Sequence, residues 1–146
     1  MGKGLPVGGC WVRAGVSAVL EPGDHGSTYS GTAIAAAAVS AVIEEMRRLD
    51  APALAVRQGA KLTDALLALP QIDSVRGSGL MLGAETAEGI EAGAVYRAAL
   101  DRGLICNAVT PTTLRFLPPL TVSDDEIDEA VSILAAAFDD VEGAVA

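Results

Sequence analysis

Two hydrophobic periods divide this chain near Pro70. Before it, apolar residues recur at helical spacing. Ile34, Val39, Val42, Ile43 and Met46 form one stripe within an alanine-rich run, which predicts a helix over residues 32–49. Asp50 and Pro52 mark a new start, and a second helix is expected to run to about Leu69, just before the proline. After Pro70 the period shortens. Residues 72–76, 79–85, 104–107 and 113–117 read as strands, with a helix at 90–102 stopped by Gly103. The last helix carries the clearest start signal. Ser123 and Glu126 have capping-box spacing, and Val122 can staple to Ile127. Its apolar face is Ile127, Ala130, Val131, Leu134 and Phe138, and the chain beyond Asp140 is expected to fray.

The first thirty-one residues differ from the rest. Eight glycines, with Pro6 and Pro22, punctuate them, so they read as loops around one short strand at 7–12. Such loops have little core of their own and nothing within the chain to close around. The expected fold class is therefore α/β: a small domain at residues 51–146, preceded at 1–50 by the end of a larger one. A chain so divided reads as part of something longer.

Composition narrows the function classes. The 146 residues are 51% hydrophobic and 20% charged, outside the range of disordered chains. A net charge of -9 disfavours nucleic acid, whose phosphates call for Lys and Arg. No apolar run approaches the roughly 20 residues of a membrane span, and no secretory signal pattern opens the chain. Cys10 and Cys106 make no disulfide framework, so a reduced, cytoplasmic compartment is expected. No His, Cys, Asp and Glu spacing suggests a metal site.

Four segments carry candidate chemistry. Gly26-Ser27-Thr28-Tyr29-Ser30-Gly31 stands directly before the long helix. Its hydroxyls and backbone N–H groups suit a phosphate at a helix N-terminus, or one hydroxyl simply caps the helix. Gly2-Lys3-Gly4-Leu5-Pro6-Val7-Gly8-Gly9 is glycine-rich but lacks the spacing of a nucleotide-binding loop, and Lys3 reads as a solvated loop lysine. Arg115 sits inside the apolar run Leu114-Arg115-Phe116-Leu117-Pro118-Pro119-Leu120. A guanidinium there calls for a partner, which is either one of the nineteen acidic residues or a ligand carboxylate held in bidentate geometry. Arg76-Gly77-Ser78-Gly79 reads as a turn between strands, with Arg76 structural. His25, beside Asp24, and the cysteines read as structural too.

Taken in order, Pro22-Gly23-Asp24-His25-Gly26-Ser27-Thr28, Arg76-Gly77-Ser78-Gly79-Leu80 and Arg115-Phe116-Leu117-Pro118-Pro119-Leu120 resemble the class III aminotransferases, which use pyridoxal 5'-phosphate. Asn107-Ala108-Val109-Thr110-Pro111 looks most like the acetylornithine branch. The resemblance runs from Gly2 to about Asp140. It implies that Ser27 and Thr28 reach the cofactor phosphate across a homodimer interface, and that Arg115 holds the substrate α-carboxylate. It aligns Pro6-Val7-Gly8-Gly9 so that Lys3 falls on a variable position and the Schiff-base lysine precedes Met1. The implied activity is transfer of an amino group from N-acetylornithine to 2-oxoglutarate in arginine biosynthesis, with this chain alone inactive. The rival class is a non-catalytic α/β module for regulation or dimerisation, which would need a self-sufficient core.

Overall fold

In the computed structural model, which describes residues 4–21, 23, 24, 26, 28 and 31–145, the first element is a four-residue helix, α1 (Ala14–Ser17). Residues 7–12 form no strand, contrary to the sequence expectation. A strand persists only where its backbone N–H and C=O groups find a partner, and none of the described strands pairs with this segment. The helix expected at 32–49 is α2 (Ala33–Arg48). Thr32 is its N-cap rather than its first residue, and the Thr32 hydroxyl accepts from the Ala35 N–H at 3.3 Å. Of the expected stripe, Val39, Val42 and Ile43 are half-buried, while Ile34 stays 74% exposed.

The chain divides into two compact units, Met1–Asp50 and Ala51–Ala146. The second begins with α3 (Ala51–Leu67), where Pro52 sits in the first turn and costs no helical hydrogen bond. Strands β1 (Ile72–Ser78) and β2 (Met81–Thr86) follow as a hairpin. Helix α4 (Ala92–Asp101) then leads to β3 (Asn107–Thr110) and β4 (Thr113–Phe116), and α5 (Asp124–Val145) closes the unit. All pairings are antiparallel, in the order β1-β2-β4-β3.

β3 lies three residues later than the expected strand at 104–107. The apolar run Leu104-Ile105-Cys106 is engaged otherwise. Gly103, at φ 93°, lets the Gly103 N–H reach Leu100 O and the Leu104 N–H reach Ala99 O, closing α4 with a Schellman motif. Cys106 then turns into the core, and burial pushes its thiol pKa up. Only from Asn107 does the backbone pair with β4, across a two-residue turn at Pro111 and Thr112.

Alternation along the strands makes one apolar face. Leu82, Ala84, Leu114 and Phe116 point into a core shared with Leu62 and Leu66 of α3, Val95 and Ala99 of α4, and Ile127, Leu134 and Phe138 of α5. Each fully buried side chain of this size stabilises the unit by roughly 1.5–3 kcal/mol. Two polar links then fix α5 against α3. Buried Gln58 donates to Val122 O at 2.8 Å and to Asp124 Oδ1 at 2.9 Å, and Lys61 Nζ donates to Asp124 O at 2.8 Å. The capping box forms as its spacing requires, with the Ser123 N–H donating to Glu126 Oε2 at 2.8 Å and the Glu126 N–H to Ser123 Oγ at 3.2 Å. Helix α5 does not fray at Asp140. Arg102 grips Asp140 through two hydrogen bonds of 2.7 and 2.8 Å, and Val141 packs on the core.

Candidate functional site

The opposite face of the sheet is open, and its residues follow from register. Arg76 on β1 pairs with Gly83 on β2, Gly83 with Arg115 on β4, and Arg115 with Asn107 on β3. One row across all four strands thus reads arginine, glycine, arginine, asparagine. Neighbouring strands lie about 4.8 Å apart, so the two arginine backbones stand roughly 10 Å apart across the glycine. A side chain at residue 83 would start 3.4 Å from Thr113 Cγ2 and 3.9 Å from Arg76 Cγ, filling the space between. With glycine there, a concavity of about 480 Å³ opens, lined by Arg76, Ser78, Met81, Gly83, Thr113 and Arg115 among others.

Arg115 is exposed in this concavity. Its Nη2 donates to Asn107 Oδ1 at 3.1 Å, a neutral partner that orients the guanidinium without neutralising it. Among the described residues Arg115 makes no ion pair, so the acidic partner that the sequence left open is not found there. Its planar fork keeps further N–H donors for a carboxylate.

Arg76 is paired. Its Nη1 donates to Glu85 Oε1 in the next row of the same face. The Thr113 hydroxyl also donates to Oε1, at 2.8 Å, and the Thr112 hydroxyl to Oε2, at 3.0 Å. The Thr110 hydroxyl in turn donates to Thr113 Oγ1 at 2.6 Å. These covers explain why Thr113 is buried on an otherwise open face. The hydrogen bond from Arg76, then that from Thr113, hold the Glu85 carboxyl below its ordinary pKa, against the opposing effect of partial desolvation.

The expected site residues fare differently. Arg115 and Asn107 come together as neighbours on one row. Arg76, read from sequence as structural, faces the same concavity as Arg115. Thr28 belongs to the other unit and is exposed. The cap of α2, one of the two roles open to the hydroxyl cluster, is filled by Thr32, so Thr28 is not required for it. An exposed hydroxyl ahead of a 16-residue helix has the donor chemistry to meet a phosphate oxygen. Ser27, Lys3 and His25 lie outside the described residues. Glu85, Thr110, Thr112 and Thr113 were not singled out by the sequence. Their one signal was alternation, which puts Glu85 on the face of Gly83, and Thr113 on that of Arg115. Among the described residues no group of acidic, histidine and cysteine side chains is placed to hold a metal ion, and no helix is long and apolar enough to cross a membrane.

Comparison with known proteins bears on this geometry. The family model described as aminotransferase class-III matches residues 1–138. The acetylornithine aminotransferase of Haemophilus ducreyi is 36% identical over 132 residues, which cover 90% of this chain and 33% of that protein. That of Caldanaerobacter subterraneus subsp. tengcongensis is 37% identical over 138 residues, covering 92% of this chain and 35% of the relative. Among solved structures, the ornithine aminotransferase of Toxoplasma gondii, reported with PLP at partial occupancy in its active site, superposes with a TM-score of 0.76 at 30% identity, over 90% of this chain and 32% of that one. The N-acetylornithine aminotransferase of Stenotrophomonas maltophilia gives 0.71 at 31% identity, over 76% and 32%. The chain spans about a third of the length of the relatives it matches.

Proposed function

Because this chain belongs to the class III aminotransferases, we propose that its open sheet face is the α-carboxylate site of an enzyme that transfers an amino group between N-acetylornithine and 2-oxoglutarate. One observation carries the reading. An exposed guanidinium stands over a glycine floor, held by a neutral asparagine and by no carboxylate among the described residues. A cation so presented is suited to an anionic ligand and not to a structural ion pair. In the 2-oxoglutarate half of the exchange the reacting carbon adjoins the α-carboxylate, whereas N-acetylornithine, its α-amino group acetylated, reacts at the terminal carbon of its side chain, so Arg115 is assigned to the α-carboxylate of the oxo acid. Arg115 would bind that group through two parallel N–H donors, fixing the adjacent carbon in orientation. Asn107 would keep the fork from rotating. Such positioning lowers the barrier by removing orientational freedom before the chemical step.

Ser27 and Thr28 would hold the phosphate of pyridoxal 5'-phosphate across a homodimer interface, and the exposed Thr28 hydroxyl, not needed for the α2 cap, is compatible with that role. When bound, the cofactor supplies an electron sink at the reacting carbon. By the resemblance of Pro6-Val7-Gly8-Gly9 to the family motif, Lys3 would not be the lysine that carries the cofactor.

The test is an acceptor profile of a holoenzyme containing this chain, with N-acetylornithine as donor and its aldehyde product detected. 2-Oxoglutarate should give a higher kcat/KM than 4-oxobutanoate, which has no carboxylate next to its oxo carbon. A preference for 4-oxobutanoate would overturn the assignment of the sheet face.

A further inference from the structure

The concavity beside β2 holds two arginines, and only one of them is neutralised. Arg76 and Arg115 flank Gly83 on one row, and both line the same 480 Å³ space. Were both free, a short dicarboxylate would find a cation for each end. A five-carbon diacid is of the right length to bridge two guanidiniums whose backbones stand roughly 10 Å apart. The acceptor proposed above is such a diacid. Captured at both ends on this sheet, it would lie along the row rather than present its α-carbon outward.

Glu85 prevents this arrangement. It reaches diagonally from the next row to take Arg76, and it is held by the Thr112 and Thr113 hydroxyls as well. An isolated ion pair as exposed as this one, at 63% for Arg76 and 24% for Glu85, contributes little. A carboxylate accepting three hydrogen bonds from β1, β4 and the turn before β4 is ordered in advance and costs little further entropy to keep in place. The threonine ladder continues to Thr110 on β3, so the mask is built across the whole sheet.

We propose that Glu85 is a specificity-determining residue. It neutralises Arg76, so that the concavity offers a single carboxylate-binding arginine, Arg115, and receives a dicarboxylic substrate by one end only. This rests on the reading of Arg115 given above and extends it to the choice between mono- and dicarboxylates.

Inhibition of the holoenzyme containing this chain by glutarate and by pentanoate, a diacid and a monoacid of equal chain length, tests the mask. Glu85→Gln should strengthen glutarate inhibition about tenfold relative to pentanoate, the effect of roughly one added charge-assisted hydrogen bond. The double variant Glu85→Gln, Arg76→Gln should return that ratio toward the wild-type value. Unchanged selectivity in Glu85→Gln overturns the proposal, as does a double variant that keeps the altered ratio, since Glu85 would then act through its threonines alone. Should Glu85→Gln fail to fold, Arg76→Gln supplies the test. It leaves the Glu85 charge unmasked beside the concavity and should weaken glutarate inhibition several-fold against pentanoate, and an unchanged ratio overturns the proposal. Arg115→Lys separates the two readings. If it weakens both acids while the Glu85 variants change nothing, only the mask is wrong. If it leaves both acids unaffected, the carboxylate site itself is wrong.

Discussion

Gly59 lies within α3 and is buried where that helix meets the turn between β1 and β2. A methyl group at this position would collide with the carbonyl oxygen of Gly79, lie 2.5 Å from its carbonyl carbon and 3.0 Å from its Cα. The obstructing atoms are backbone, in a turn whose Gly79 already holds φ at 54°, so no side chain can swing aside. Gly59→Ala should therefore cost the upper part of the overpacking range, about 3 kcal/mol. Alanine's better helix propensity recovers about 1 kcal/mol, leaving a net loss of roughly 2 kcal/mol. For a unit of this size that corresponds to a Tm lower by about 8–16 °C. Gly143 is the matched control, because a Cβ there meets nothing within 4 Å and the same exchange should be neutral or slightly stabilising. Thermal and urea unfolding of the 146-residue chain, followed by circular dichroism, reads both. The end of β1 that enters this turn supplies Gly77 and Ser78 to the concavity, so the damage should extend to the candidate site. A Gly59→Ala protein as stable as the parent would mean that α3 and the hairpin do not approach so closely.

Further outcomes follow from the same geometry. The backbone N–H of Ser123, then its hydroxyl, hold the Glu126 carboxyl below its ordinary value of 4.5. A depressed carboxylate contributes stability above its unfolded pKa and loses it as pH falls through the folded one. Glu126→Gln should thus flatten the acid limb of a stability–pH curve below about pH 4.5, and an unchanged limb would contradict the capping box. Cys10 is exposed and Cys106 buried with a raised pKa, so alkylation of the native chain near pH 8 should show one fast and one slow thiol; two equally fast thiols would place Cys106 outside the core. If Lys3 is not the Schiff-base lysine, as the proposed motif match has it, the 146-residue polypeptide given pyridoxal phosphate by itself should show no transaminase turnover. Turnover abolished by Lys3→Ala would show that alignment to be wrong.

How far the sequence carried depends on where each signal resided. The start of α5 was legible because a capping box is local, needing only Ser123 and Glu126 three residues apart. Its far end was not, because the Arg102–Asp140 pair and the packing of Val141 join residues distant in the chain. The β3 register was misread for a related reason. Hydrophobicity marked Leu104-Ile105-Cys106 as a strand, but the chain uses that stretch to stop α4 and fill the core. At residues 7–12 strand-like side chains were present and a partner among the described strands was not. In the site, Arg115 stood out as a charge within an apolar run, whereas Glu85 was one acidic residue among nineteen. Its partners lie 9, 27 and 28 positions away, a pattern that only the folded sheet brings together.

Arg115→Lys in a holoenzyme containing this chain bears most directly on the carboxylate site, with the two half-reactions measured separately. Lysine keeps the charge and loses the bidentate fork. Hydrogen bonds to charged groups contribute on the order of 1.5–3 kcal/mol each, so kcat/KM should fall roughly tenfold to a hundredfold or more with the oxo acid, and less with N-acetylornithine, whose carboxylate lies far from its reacting carbon. The cofactor spectrum and its retention should stay nearly unchanged, while Thr28→Ala should weaken retention and leave carboxylate selectivity largely intact. Were Arg115→Lys instead to lower the Tm while the folded fraction kept its kinetics in both half-reactions, Arg115 would be a structural residue and the open face of the sheet would not be the carboxylate site.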